Sequence, residues 1–181
     1  MNNKGIPPWR EELMATQKKE GKYSSNNWIQ IATINNENKP RLRTVVFRGW
    51  ESGNSLIIYS DKRSQKIYDI KQNNSVEILW FFSKTKSQYR LKGEAYFVEE
   101  TKKYWEKLSQ DAKKTWFWPS PGKNLEKFSI SQINDDLEMP NNFTVLTINV
   151  QSVDLLRLKS PIHKRYFWHI NNNWERIEIN P

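Results

Sequence analysis

The chain contains no cysteine and only two histidines, His163 and His169. The first absence excludes disulfides, thiolate catalysis and thiolate-held iron–sulfur clusters. Two histidines leave too few ligands for a histidine-based metal centre, so no metal is expected. Glycine is scarce as well, six residues in all, and none falls in a Gly-x-Gly-x-x-Gly fingerprint or a Walker loop. A Gly-x-Ser-x-Gly elbow and a zinc-protease histidine pair are likewise missing. No apolar run approaches the ~20 residues of a membrane span. The opening MNNKGIPPWREEL has no apolar stretch of signal-peptide length. The expectation is a cytoplasmic protein with no membrane partner.

Positive charge and aromatic rings are what the chain has in quantity. The net charge is +9, from 29 Lys and Arg against 20 Asp and Glu. Lysine (20) outnumbers arginine (9) and asparagine is abundant (19), a bias that an A+T-rich genome produces. The cations are scattered, without an arginine-rich tract, so the charge supports a general attraction for anions and no specific nucleic acid. Nine Trp, eight Phe and seven Tyr supply a sizeable core. A length of 181 residues suits one domain, 1–181, and no linker or repeat divides it.

Periodicity predicts an N-terminal helix over Trp9–Lys19, with Pro7 and Pro8 at its start. Strands are expected at Trp28–Ile34, Arg41–Phe47, Leu56–Ser60, Val76–Phe82 and Tyr89–Val98, with a hairpin turn between Asn35 and Pro40. Helices are expected at Glu100–Leu108, at Gln110–Trp116 and, inside a Pro-punctuated stretch, near Leu125–Ile133. Strands at Phe143–Asn149, Val153–Lys159, Tyr166–Ile170 and Trp174–Ile179 close the chain. The pattern is α+β with predominant strands, compatible with a small closed barrel that leaves no free edges.

The most informative stretch is RTVVFRGW (Arg43–Trp50), followed by LIIYSDKRSQK (Leu56–Lys66). Alternation puts Arg41, Arg43, Val45 and Phe47 on one strand face and Leu42, Thr44, Val46 and Arg48 on the other. An arginine sharing a face with Val and Phe needs an anion or a carboxylate on its guanidinium. Ser60 or Asp61 suits the cap of a helix over Lys62–Gln72, which places Ser64 and Lys66 near free backbone N–H groups that favour phosphate. A capped surface helix with solvated cations is the alternative. Gln88 carries both a donor and an acceptor, suited to the polar edge of a flavin or nucleobase, or simply to a strand face turned to water.

Four segments in this order, RTVVFRG (Arg43–Gly49), SDKRSQK (Ser60–Lys66), QYR (Gln88–Arg90) and WPSPG (Trp118–Gly122), resemble the FMN-binding split β-barrel proteins related to pyridoxamine 5′-phosphate oxidase. The similarity is to an oxidase-like branch of them and spans nearly the whole chain. It implies a predominantly antiparallel split β-barrel with flanking helices, FMN as cofactor, and a homodimer with the flavin at the interface. By the same resemblance Arg43, Ser64 and Lys66 hold the FMN phosphate. Thr44, Val45, Val46, Arg48, Tyr59 and Ser60 line the ribityl chain and ring, Gln88 meets the pyrimidine edge, and Arg165 contacts the flavin. Arg63 substitutes for a cation usually found just before Lys66, where Gln65 stands. His163 and Arg48 face a small-molecule substrate. Pro161 occupies the place of a substrate-binding arginine, and Leu156 that of a tryptophan near the flavin. The implied function is a flavin oxidoreductase with an altered substrate site. The alternatives are a non-catalytic flavin-binding module and a haem- or tetrapyrrole-binding protein on the same fold.

Overall fold

The computed structural model describes residues 5–124, 137–159 and 161–181. Among them eight strands form one antiparallel sheet: β1 (Trp28–Ile34), β2 (Pro40–Trp50), β3 (Ser55–Asp61), β4 (Ser75–Phe82), β5 (Ser87–Phe97), β6 (Phe143–Arg157), β7 (Lys164–His169) and β8 (Ile177–Ile179). Their order is β3-β2-β1-β4-β5-β6-β7-β8, and a further ladder joins β3 to β6. Six strands thereby close into a barrel, while β7 and β8 continue from β6 as an open wing. Helices α1 (Pro8–Glu20), α2 (Gln65–Gln72), α3 (Lys102–Trp105) and α4 (Gln110–Lys114) flank it. The architecture is the expected α+β split barrel.

The local chemistry explains these elements. Pro7 and Pro8 start α1, and Trp9, Leu13, Thr16 and Glu20 form its buried face at helical spacing. Glu20 accepts the backbone N–H groups of Lys84 and Thr85, tying α1 to the β4–β5 turn. The β1–β2 turn is fastened by the Asn35 side chain, which accepts from the N–H groups of Glu37 and Lys39. In the main core, Trp9, Trp80 and Trp168 are fully buried, and Phe47 lies 4.8 Å from Trp80, ring centre to ring centre. A second cluster, Ile57, Tyr104, Trp105, Phe143 and Val145, packs α3 on the outside of β3 and β6.

Several boundaries differ from the pattern in the sequence. The two strands expected at Phe143–Asn149 and Val153–Lys159 are one, β6. Opposite Lys92 and Gly93 of β5 stand Ser152 and Val150, so Gln151 of β6 is an extra residue that absorbs the irregularity. Gly93 is needed there, because a Cβ at that position would overlap the Asn149 carbonyl. Helix α2 starts at Gln65 behind Ser64, not at Lys62. Asp61 accepts the N–H of Arg63 and its carbonyl that of Ser64, so a turn occupies the residues before the helix. Helix α3 covers only Lys102–Trp105 of the span expected to reach Leu108. The last strand begins at Ile177, since Asn173 and Trp174 adopt left-handed backbone angles. The helix expected at Leu125–Ile133 lies outside the described residues. No helix among the described residues is long and apolar enough to cross a membrane.

Candidate anion and cofactor site

Three elements meet where the β2–β3 ladder stops. That ladder covers only Phe47–Trp50 against Leu56–Ile58. Arg43–Val46 pair with β1 on one edge and lie outside the β2–β3 ladder on the other. An edge outside a ladder presents backbone donors and acceptors to a ligand.

Arg43 lies on the inner face of β2 with Val45 and Phe47, as the alternation predicts. Its Nη1 donates to Thr33 Oγ1 at 2.6 Å and to the Ile31 carbonyl at 3.3 Å, and its Nη2 donates to Asp69 Oδ2 at 3.3 Å. The carboxylate that a half-buried guanidinium requires therefore comes from α2. Asp69 is the residue that sequence reasoning missed. The signal for it was present: a carboxylate beside Ile70 on the helix's apolar stripe, in a segment that must pack against the arginine strand.

Lys66 stands in the first turn of α2 and donates to Ser64 Oγ at 2.9 Å. The Ser64 hydroxyl donates to the Asp61 carbonyl at 2.7 Å and lies 3.3 Å from Ser60 Oγ, both serines being buried. Burial, with the charge of Arg43 added, pushes the Lys66 ammonium below the ordinary lysine range, and Asp61 offsets this only in part. The nearby cations Arg41, Arg43 and Arg63 have carboxylate partners; Lys66 has none among the described residues.

Arg63 is differently engaged. Its Nε and Nη2 form a fork on Asp61 (Nη2 to Oδ2 2.7 Å), and Nη2 also donates to the Trp118 carbonyl at 3.0 Å. Asn142 donates to the same carboxylate and to the Trp116 carbonyl. Arg63 thus ties the start of the WPSPG loop to the turn before α2. Burial pushes the Asp61 carboxyl up, but the bonds from Arg63 and Asn142 outweigh it and hold it below the ordinary range.

The remaining residues fall into two groups. Thr44, Val46 and Arg48 face outward from β2, and the Arg48 guanidinium lies 5.1 Å from the centre of the Tyr59 ring. Val45 points into the core, so only its backbone can meet a ligand. Gln88 on β5 and Arg165 on β7 face outward further round, each paired with Leu156 of β6. Arg165 is bonded to Asp154, which also accepts from Arg90 at 2.7 Å. His163 is exposed, its Nδ1 3.0 Å from the Lys159 carbonyl. Round the closed barrel, β3 and β6 stand between β2 and β7.

A six-stranded split barrel with a wing, opened at one strand edge beside two cations and two serines, has the fold of the FMN-binding split barrels. Residues 6–99 match the family described as pyridoxamine 5′-phosphate oxidase, FMN-binding domain, and the chain belongs to that family. It is 31% identical over 197 aligned positions to pyridoxine/pyridoxamine 5′-phosphate oxidase 2 of Arabidopsis thaliana, covering 97% of this chain and 98% of the relative. A pyridoxamine 5′-phosphate oxidase-related, FMN-binding protein of Nostoc punctiforme superposes with a TM-score of 0.88 at 29% identity, covering 98% of this chain and 100% of that one. PhzG of Burkholderia lata, solved with tetrahydrophenazine-1-carboxylic acid, shares the fold, with a TM-score of 0.82 at 15% identity over 100% of this chain and 97% of that one.

Proposed function

We propose that this chain is an FMN-dependent oxidoreductase whose substrate site differs from that of the pyridoxamine phosphate oxidases. One observation carries the cofactor reading: Lys66 is a partly buried ammonium beside Arg43, without a carboxylate of its own among the described residues. Such a pair of cations lacks one partner, and a phosphate supplies it. Ser60 and Ser64 add hydroxyls at the same place, and the open β2 edge adds backbone groups. Arg43, Ser64 and Lys66 would hold the FMN phosphate, and Thr44–Arg48 with Tyr59 and Ser60 would run along the rest of the cofactor. Arg63 would act one step back, holding Asp61 and the Trp118 loop in place. Bound FMN supplies a two-electron acceptor for a reduced small-molecule substrate, while the protein contributes binding and orientation.

On this reading Gln88 and Arg165 reach the flavin of a second copy, and the working form is a homodimer. The exposed Trp28, Leu42 and Phe81 on the outer sheet face support it. Arg48, held over Tyr59, and the exposed His163 are the substrate-facing residues. Pro161 offers no donor where the oxidases are expected to place an arginine, which keeps a non-catalytic flavin-binding role as the second reading.

The test is an FMN titration followed by flavin absorbance, with riboflavin in parallel and the molecular mass in solution measured with and without FMN. Arg43→Ala is expected to weaken FMN by about tenfold to a hundredfold, the worth of a charge-assisted hydrogen bond, and to leave riboflavin nearly unchanged. Equal loss for both ligands would show that Arg43 does not meet the phosphate.

A further inference from the structure

Asp69 is 3% exposed and sits behind Arg43, on the face of α2 turned to the barrel. Its Oδ2 accepts from Arg43 Nη2 at 3.3 Å and from Thr33 Oγ1 at 2.8 Å, while Thr33 Oγ1 itself accepts from Arg43 Nη1 at 2.6 Å. The three side chains therefore close a ring. Its other oxygen lies 3.8 Å from Arg41 Nη1. Arg41 and Arg43 are like charges two residues apart on one strand face, and Asp69 stands against both.

A guanidinium has five N–H donors. Three of those on Arg43 are used by Thr33, Ile31 and Asp69. Two remain, one on Nε and one on Nη2, which is the number a fork on a phosphate takes. We propose that Asp69, relayed through Thr33, is a positioning residue that fixes the Arg43 guanidinium so that its remaining two donors face the phosphate of the cofactor. The assignment rests on the phosphate reading of the site given above. It also has a rival of opposite sign: a carboxylate that merely neutralised Arg43 would weaken anion binding, and its removal would tighten it.

The experiment compares FMN and riboflavin affinity by fluorescence titration for the wild type, Asp69→Asn, Thr33→Val and the double variant. Asparagine retains an oxygen for the Thr33 hydroxyl but loses the charge that holds Arg43. The expected result is an FMN affinity about tenfold lower in either single variant, riboflavin unchanged, and a double variant no worse than the single ones, because either change opens the same ring. A purely structural role would move both ligands together and would not alter their ratio. Should Asp69→Asn fail to fold, Thr33→Val, which leaves the buried carboxylate with its arginines, carries the test alone. Unchanged or tighter FMN binding, with the wild type still preferring FMN to riboflavin, overturns the positioning role alone. A wild type that does not distinguish FMN from riboflavin overturns the phosphate site, and the positioning role with it.

Discussion

Arg165 grips Asp154 across the β6–β7 ladder with both Nε, at 3.0 Å, and Nη2, at 2.7 Å. The arginine that the resemblance assigns to the flavin is therefore oriented by a carboxylate of its own sheet. Asp154 accepts from Arg90 as well, so two guanidiniums share one acid on the outer face.

The acid limb of stability reports on that acid. Burial pushes the Asp154 carboxyl up, but the hydrogen bonds from Arg165 and Arg90 outweigh it and hold it below the ordinary range. A carboxyl whose folded value is depressed stabilises fully above its unfolded value, about 3.9, and loses that contribution as pH falls through the folded value. Asp154→Asn is expected to cost about 1 kcal/mol at neutral pH, a figure kept low because both guanidiniums are partly exposed. The melting-temperature gap to the wild type should close below about pH 4. A gap that does not change with pH would assign the loss to packing.

Lys66 makes a prediction at the other end of the scale. Its ammonium loses its proton more readily than an ordinary lysine, first through burial and then through Arg43. FMN affinity should therefore fall as pH rises, beginning below the usual lysine value of about 10.4. Riboflavin affinity should stay flat over the same range. In Lys66→Met the pH slope should vanish along with part of the affinity, as read by titration at several pH values.

Gly93→Ala tests how the barrel gives way to the wing. The new methyl would meet the Asn149 carbonyl, a backbone atom that cannot swing aside. A loss of about 3 kcal/mol is expected, at the upper end for overpacking, read as a lower urea midpoint. Wild-type stability in this variant would show that the β5–β6 register slips without cost.

Pro161 bears on the substrate. The Arabidopsis relative is an oxidase of pyridoxine and pyridoxamine phosphates, yet this chain has a proline where a donor to the substrate phosphate is expected. Turnover of either compound by FMN-loaded protein, followed by oxygen uptake, is expected to fall well below ~1 per second. A rate at or above that scale would show that Arg48 and His163 suffice to hold the substrate. No rate at all with FMN firmly bound would favour another reductant or a binding role.

Much of this protein is determined by short-range pattern. The alternation through Arg41–Phe47 sets which side chains enter the barrel, because a pleated strand admits only two faces. That pattern also demands a carboxylate or an anion for Arg43, and four ordered motifs suffice to place the chain among the FMN-binding split barrels. Tertiary structure decided the rest. That Asp69 answers Arg43 depends on how α2 packs against β1 and β2, contacts made 26 residues apart along the chain. That β6 is one strand serving barrel and wing depends on its extra residue, Gln151, which only the pairing with consecutive Lys92 and Gly93 of β5 identifies. The bond from Arg63 to the Trp118 carbonyl, 55 residues along the chain, follows from the same cause. Local sequence sets the face a side chain points from, and only the closed sheet sets what stands opposite it.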